Sequence, residues 1–152
     1  MESDESSDYS DIPKFALDSG ATGSYGSRQT PLDTSKSTNR KIGGIGGVII
    51  HADREGRCKA IPNVALSDGI RRNLASVSQL TKHYQNLLAF DGKYAYAVPP
   101  KHLPVHGADI VGAMTSNGLY NLNMKKLEQH VQKHGLPTSS AGEAALHTSI
   151  ST

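Results

Sequence analysis

Short apolar runs that alternate with turn-forming residues fill the stretch from residue 14 to residue 100, and this pattern restricts the fold more than any other feature. Phe15-Ala16-Leu17 runs into Asp18-Ser19-Gly20, and Leu87-Leu88-Ala89-Phe90 is followed by Asp91-Gly92. Short apolar runs closed by Gly, Asn or Asp are typical of strands joined by tight turns. The sequence therefore predicts an all-β domain with one short helix.

The predicted elements follow from the spacing of apolar residues. Lys41-Ile42 and Val48-Ile49-Ile50 flank a glycine-rich tip and predict a hairpin. Leu74 and Val77 fall on one face of a helix. The predicted strands span 15–17, 41–42, 48–50, 60–66, 87–90 and 94–98, and the predicted helix spans 73–80.

The two ends of the chain differ from this domain in composition. Residues 1–13 carry five acidic side chains and no Lys or Arg, which predicts a disordered leader. Residues 124–134 have helical apolar spacing, and the Gly135 and Pro137 that follow predict the end of a short helix. The last residues are rich in Ser, Thr, Ala and Gly and are predicted to form a flexible tail. The domain itself is predicted to cover 14–123.

Charge, cysteine content and hydropathy exclude several classes of function. The net charge is +2, and the basic residues are spread along the chain and not gathered in a stripe, so direct nucleic-acid binding is not expected. Cys58 is the one cysteine, which excludes an intrachain disulfide and a cysteine-cluster zinc site. No apolar run approaches the ~20 residues of a membrane span, and no signal peptide is recognisable. A soluble, cytoplasmic protein is expected.

The main candidate for chemistry is the carboxylate of Asp18. An apolar strand leads directly into Asp18-Ser19-Gly20-Ala21-Thr22, so the carboxylate is placed in a turn at the edge of the predicted core. The hydroxyl of Ser19 can form a hydrogen bond across such a site, and Gly20 lets the backbone approach another chain closely. Alone, the tripeptide is more typical of a surface turn.

A glycine-rich segment about twenty residues later adds a second candidate element. Its residues are Ile42, Gly43, Gly44, Ile45, Gly46 and Gly47. Four glycines around one isoleucine predict a flexible hairpin tip that can close over a bound peptide and reopen. A phosphate-binding glycine loop is excluded because no Lys-Ser/Thr follows and no helix begins there.

In this order along the chain, these elements resemble the retropepsins, the aspartic proteases of retroviruses and LTR retrotransposons. Asp18-Ser19-Gly20-Ala21 is similar to the active-site turn of that family, and 42–47 resembles its flap. Residues 73–80, Asn-Leu-Ala-Ser-Val-Ser-Gln-Leu, resemble a stretch of copia/Ty1-like retrotransposon proteases. Gly118-Leu119-Tyr120-Asn121-Leu122 resembles the segment that leads from protease towards integrase in the same group.

The resemblance implies a retropepsin-like closed β-barrel that is active as a homodimer. The implied catalytic residue is Asp18, in a turn completed by Ser19, Gly20, Ala21 and Thr22, with the flap at 42–47 holding the substrate. Counting agrees with a dimer, because the chain contains one Asp-Ser/Thr-Gly and the chemistry needs two carboxylates that share a proton. The implied substrate is a Gag-Pol polyprotein, cleaved within virus-like particles, without a cofactor.

The sequence also allows three other interpretations. A retropepsin-like fold can serve as a non-enzymatic dimer or polyprotein segment, and the basic residues with the C-terminal helix could belong to a nucleic-acid-associated fragment before integrase. Two histidine pairs with i, i+4 spacing, His102 with His106 and His130 with His134, suggest a metal site. No cysteine pair accompanies them, so solvated histidines and no metal are predicted.

Overall fold

The computed structural model describes residues 13–43 and 47–136, and these residues form ten strands, two α-helices and one 3₁₀ helix. Most of the acidic leader, the centre of the glycine-rich segment and the tail after residue 136 lie outside the described residues. The strands are β1 Ala16–Asp18, β2 Ser24–Ser27, β3 Lys36–Gly43, β4 Ile49–Cys58, β5 Ile61–Ser67, β6 Leu74–Ser76, β7 Leu87–Phe90, β8 Ala95–Val98, β9 Gly112–Met114 and β10 Tyr120–Leu122. The helices are α1 Val77–Tyr84, the 3₁₀ helix Pro100–His102 and α2 Met124–Lys133.

Six strands form the main sheet, in the order β1-β6-β2-β5-β4-β3. Strands β3, β4 and β5 follow one another as an antiparallel meander. Strand β2 lies parallel to β5, and β1 lies parallel to β6. Because parallel neighbours need long crossover connections, this half of the sheet brings together residues that are distant in sequence.

The core lies on both faces of β5. Val64, Ala65 and Leu66 are almost completely buried although they are consecutive, so side chains on both faces of the strand are covered. On one face Ala65 packs with Ile42 and Ala52. On the other face Val64 and Leu66 pack with the buried, unpaired Cys58 and with three half-buried side chains, Phe15, Leu32 and Ile61. Burial of each large apolar side chain stabilises the fold by about 1.5–3 kcal/mol.

The helix predicted at 73–80 begins later than the sequence analysis placed it. Leu74–Ser76 is strand β6, and α1 covers Val77–Tyr84. The Ser76 side chain caps the helix by accepting a hydrogen bond from the backbone N–H of Gln79. Leu74 also fits a helical spacing, but it belongs to strand β6, which lies between β1 and β2 in the sheet.

Two small hairpins and α2 follow the main sheet. Strands β7 and β8 pair as predicted, and β9 pairs with β10. The predicted C-terminal helix is confirmed: Asn123 caps its first turn, and Gly135, with a φ of 63°, follows its end.

The mostly β class is confirmed, but the closed barrel is not. Among residues 13–43 and 47–136 the strands form three separate sheets, and the main sheet is open because β1 and β3 are its edges and do not pair with each other. The two α-helices are α1, which corresponds to the helix predicted within the domain, and α2, which was predicted after it. None of the helices in these ranges is long and apolar enough to cross a lipid bilayer.

Candidate active site

Asp18 is the last residue of β1 and begins a tight turn. Its backbone lies opposite Ser76 in the parallel pairing of β1 with β6. Its Oδ1 accepts a hydrogen bond of 2.8 Å from the N–H of Gly20, and its carbonyl oxygen accepts one of 3.4 Å from the N–H of Ala21. The carboxylate therefore closes its own turn, and its orientation is fixed by the backbone that follows it.

Ser76 holds this turn from the neighbouring strand. Its hydroxyl donates a 2.6 Å hydrogen bond to the carbonyl oxygen of Ala21. Its backbone N–H donates a 3.0 Å hydrogen bond to Oγ of Ser24. Ser76 is completely buried, so water could not replace a hydrogen-bond partner that was lost, and a buried polar group would remain unsatisfied. The turn is thus attached to the core through a satisfied network of buried hydroxyls.

Gln79 makes a second attachment from the first turn of α1. Its side-chain Nε2 donates a 3.0 Å hydrogen bond to the carbonyl oxygen of Thr22, while its backbone N–H donates to Oγ of Ser76 at 3.2 Å. The start of α1 therefore fixes both the helix and the end of the Asp18 turn. Sequence analysis missed Ser24, Ser76 and Gln79 as supporting residues. The Ser-x-x-Gln spacing of a capping box was the available signal.

The Asp18 carboxylate forms no ion pair within the described part of the chain. The salt bridges of the domain involve other acids: Asp33, Asp53, Glu55, Asp68 and Asp109. Asp18 is half-buried, and Ser19 and Gly20 beside it are exposed. One carboxylate oxygen accepts the hydrogen bond from Gly20, and the other makes no hydrogen bond within residues 13–43 and 47–136.

An apolar cavity of about 380 Å³ begins next to Ser19. Strand β7 and helix α1 supply most of its walls. The lining residues are Ser19, Val77, Thr81, Asn86, Leu87, Leu88, Phe90 and Tyr120. Such a cavity, apolar with a few polar groups, is suited to an apolar side chain of a ligand.

The glycine-rich segment is the tip of the β3–β4 hairpin. Ile42 pairs with Ile50, and Gly43 pairs with Ile49. The side chain of Ile42 is buried in the core with Ala52 and Ala65, so it supports the hairpin and does not face a ligand. Gly47 adopts a φ of 78°, which glycine permits without strain. Gly44, Ile45 and Gly46 lie outside the described residues.

The hairpin presents apolar side chains beyond its glycines. Val48 is 59% exposed and Ile49 is 58% exposed. In the described ranges, hydrogen bonds to residues 18–22 from elsewhere in the chain come from β6 and α1, and none comes from this hairpin. Within the described part of the chain, the Asp18 turn and the β3–β4 hairpin are therefore not joined by hydrogen bonds.

Comparisons with known proteins do not place the chain in a family. A scan of protein-family models gave no match to it, and neither did searches among curated proteins and among solved structures. Its function must therefore be inferred from the residues and geometry of its own site.

Proposed function

We propose that this chain is the aspartic endopeptidase of a copia-like retrotransposon and that it cleaves a Gag-Pol polyprotein as a homodimer. One observation carries the proposal: the carboxylate of Asp18 is held by Gly20 in a turn that Ser76 fixes to the core, and it is not neutralised by a basic partner among the described residues. A carboxylate that is rigidly placed and open on one side is what peptide hydrolysis by this chemistry requires.

In the proposed mechanism, two Asp18 carboxyl groups share one proton across a two-fold axis. Two like charges at short range do not both ionise, so one carboxyl group stays protonated. The ionised group takes a proton from a water molecule, which attacks the scissile carbonyl carbon. The protonated group donates its proton to the carbonyl oxygen, so a tetrahedral diol forms. When the diol collapses, the carboxyl group that took the water proton gives it to the amide nitrogen, the C–N bond breaks, and the other carboxylate takes a proton from a diol hydroxyl.

The surroundings of Asp18 support pairing with a second copy. The turn beside it is exposed at Ser19 and Gly20, and Leu17 is 42% exposed. Gly20 carries no side chain that would keep the partner's turn away. A two-fold axis through the turn would bring the same residues from both copies together. Each copy would then supply one of the two aspartates.

The hairpin and the cavity support an extended peptide as substrate. A peptide bound as an added strand would lie between the turn and the β3–β4 hairpin. In the proposal, the β3–β4 hairpin closes over the peptide, and the exposed Val48 and Ile49 offer apolar contacts. The apolar cavity beside Ser19 would receive one substrate side chain, so cleavage next to apolar residues is expected. By its resemblance to retrotransposon proteases, the enzyme would act in cytoplasmic virus-like particles.

The test is a cleavage assay on a longer precursor that contains this chain, run across a dilution series. Cleavage blocked by pepstatin, with activity per chain that falls steeply on dilution, supports a shared aspartic site. Activity per chain that stays constant while light scattering reports a monomer contradicts the dimer. A stable dimer that cleaves no precursor supports the alternative, a non-enzymatic dimerisation domain.

A further inference from the structure

Asp109, His130 and His134 converge at the C-terminal end of the described chain. Asp109 lies in the segment before β9, while both histidines lie one turn apart at the end of α2. Oδ2 of Asp109 is 2.7 Å from Nδ1 of His130 and 3.2 Å from Nε2 of His134. One oxygen atom therefore faces two imidazole nitrogens, and the three ligand atoms lie within 4.8 Å of one another.

We propose that Asp109, His130 and His134 bind a divalent transition-metal ion, with Zn²⁺ as the best match. Two imidazole nitrogens and one carboxylate oxygen form a donor set that zinc prefers, and three protein ligands leave the fourth position for water. This site is separate from Asp18 and does not rest on the proposed protease function. The bound ion would join α2 to the segment before β9.

Metal binding requires the three ligand atoms to adjust their separations. Zinc–ligand bonds of about 2.0–2.1 Å place tetrahedral ligand atoms about 3.3 Å apart. Oδ2 lies 2.7 Å from Nδ1 of His130 and 3.2 Å from Nε2 of His134, so the shorter distance must lengthen by about 0.6 Å to reach this value. The ligand atoms that lie up to 4.8 Å apart must come closer, which requires rotation of the two imidazole rings. Their centroids are 4.8 Å apart, as expected for side chains one helical turn apart.

Lys133 contacts the same carboxylate but on its other oxygen. Nζ of Lys133 is 3.3 Å from Oδ1 of Asp109, and its side chain is 65% exposed. Oδ2 remains directed at the histidines, and the exposed lysine can swing into solvent. Hydrogen bonds from His130, Lys133 and His134 hold the pKa of Asp109 at about 2, so the carboxylate is ionised at neutral pH. The positive charge of Lys133 opposes a metal ion, so its removal should strengthen binding.

The backbone supports a fixed site. The N–H of Asn123 donates a 2.8 Å hydrogen bond to the carbonyl oxygen of Val111, and the Asn123 side chain caps α2. The start of α2 is thereby attached to the segment that carries Asp109. The ligands at the other end of the helix would add a second point of attachment, so metal binding should stabilise α2 against local opening.

Zinc affinity can be measured on the full chain by competition with a chromophoric chelator. We expect one equivalent of Zn²⁺ to bind, and the double variant His130→Ala/His134→Ala to bind at least about tenfold more weakly. The matched control is His102→Ala/His106→Ala, which removes two exposed histidines with the same sequence spacing from outside the cluster. This control should keep the affinity of the unmodified chain. Lys133→Gln should bind zinc more tightly.

Two outcomes would overturn the proposal. If the unmodified chain binds no zinc, the three residues form only an ion-paired cluster. If both double variants lose zinc equally, or neither does, binding is adventitious and not at this site. Alanine favours helices, so α2 should persist in the His130→Ala/His134→Ala variant, and far-UV circular dichroism checks this.

Discussion

Asp18 and Asp109 are both half-buried carboxylates, but their partners differ completely. Asp18 accepts one hydrogen bond from a backbone N–H and has no basic partner among the described residues. Asp109 is surrounded by His130, Lys133 and His134. The degree of burial therefore does not distinguish a carboxylate without a basic partner from one that is paired with basic side chains. The neighbouring side chains make that distinction.

The supports around the two carboxylates also differ. The Asp18 turn is held by neutral, buried groups such as Ser24 and Ser76, whose hydrogen bonds salt does not screen. The side chains around Asp109 are partly exposed, and the attraction between such charges weakens with ionic strength. We expect the first region to be rigid under most solution conditions and the second to respond to pH, salt and metal ions.

The largest expected effect comes from Asp18→Asn. The amide cannot take a proton from water, so cleavage of the precursor should fall by at least about a hundredfold. The asparagine is nearly isosteric and can still accept the Gly20 N–H, so thermal stability should hardly change. Cleavage is measured by sizing the products, and folding is measured by circular dichroism.

The control for this variant is Asp68→Asn, which changes an exposed aspartate in a turn after β5. This variant should cleave at the rate of the unmodified chain. Equal activity of the two variants would remove Asp18 from the proposed site and with it the contrast to Asp109.

Ser76→Ala should have the next largest effect, on stability. The change leaves the carbonyl oxygen of Ala21 and the N–H of Gln79 without their partner. The free energy of unfolding should fall by about 1–3 kcal/mol, as measured by urea denaturation. Ser37→Ala, at an exposed position of β3, should change it by less than about 0.5 kcal/mol. Similar losses in both variants would mean that the hydroxyl network does not hold the turn.

Gly20→Ala should lower activity with little loss of stability. A Cβ at position 20 would lie 3.3 Å from Oδ1 of Asp18, so the carboxylate must shift by a few tenths of an ångström. We expect cleavage to fall about tenfold. Gly92→Ala is the matched control, because a Cβ at that position meets no atom within 4 Å. Full activity of Gly20→Ala would show that the position of the carboxylate tolerates displacement.

The smallest expected effect is the pH response of α2. The pKa of Asp109 is lowered from 3.8 to about 2, chiefly by its hydrogen bond with His130. A folded-state pKa below the unfolded one means that the contribution to stability is complete above about pH 4 and is lost as pH falls towards 2. Amide chemical shifts of α2, followed by NMR, should change over that range.

Asp109→Asn is the reference for this titration, and its α2 should lack the response. Because the partners of Asp109 are partly exposed, high salt should reduce the response in the unmodified chain. An identical pH dependence in the two chains would mean that Asp109 does not hold the helix.

Much of the fold was predictable because its signals are local. The β3–β4 and β7–β8 hairpins follow from glycine or Asp-Gly turns between apolar runs, and α2 follows from apolar spacing that ends at Gly135. Strand β6 was mistaken for the start of α1 because Leu74 and Val77 also fit a helical period. Residues 74–76 form a strand because they pair with β1. A run of only three residues does not show such a non-local pairing in its own sequence pattern.

The candidate site was predictable only in part, for a similar reason. Asp18 and its turn were found from a strand followed by Asp-Ser-Gly, and the structure adds their supports from β6 and α1. Ile42 was assigned to the flap, yet its side chain belongs to the core. Asp109 was missed because its histidine partners are more than twenty residues away in sequence, and no spacing rule links a loop carboxylate to a later helix.

The hydrogen bond between Ser76 and Ala21 spans 55 residues of sequence, and this separation sets an order of events during synthesis. Until residues 74–84 have been translated, the turn at Asp18 has neither its neighbouring strand nor the helix that holds it. A nascent chain therefore carries the acidic residue long before it carries the framework that orients it. Under the proposed function, the active-site turn would reach its working orientation only after Gln79 has been translated.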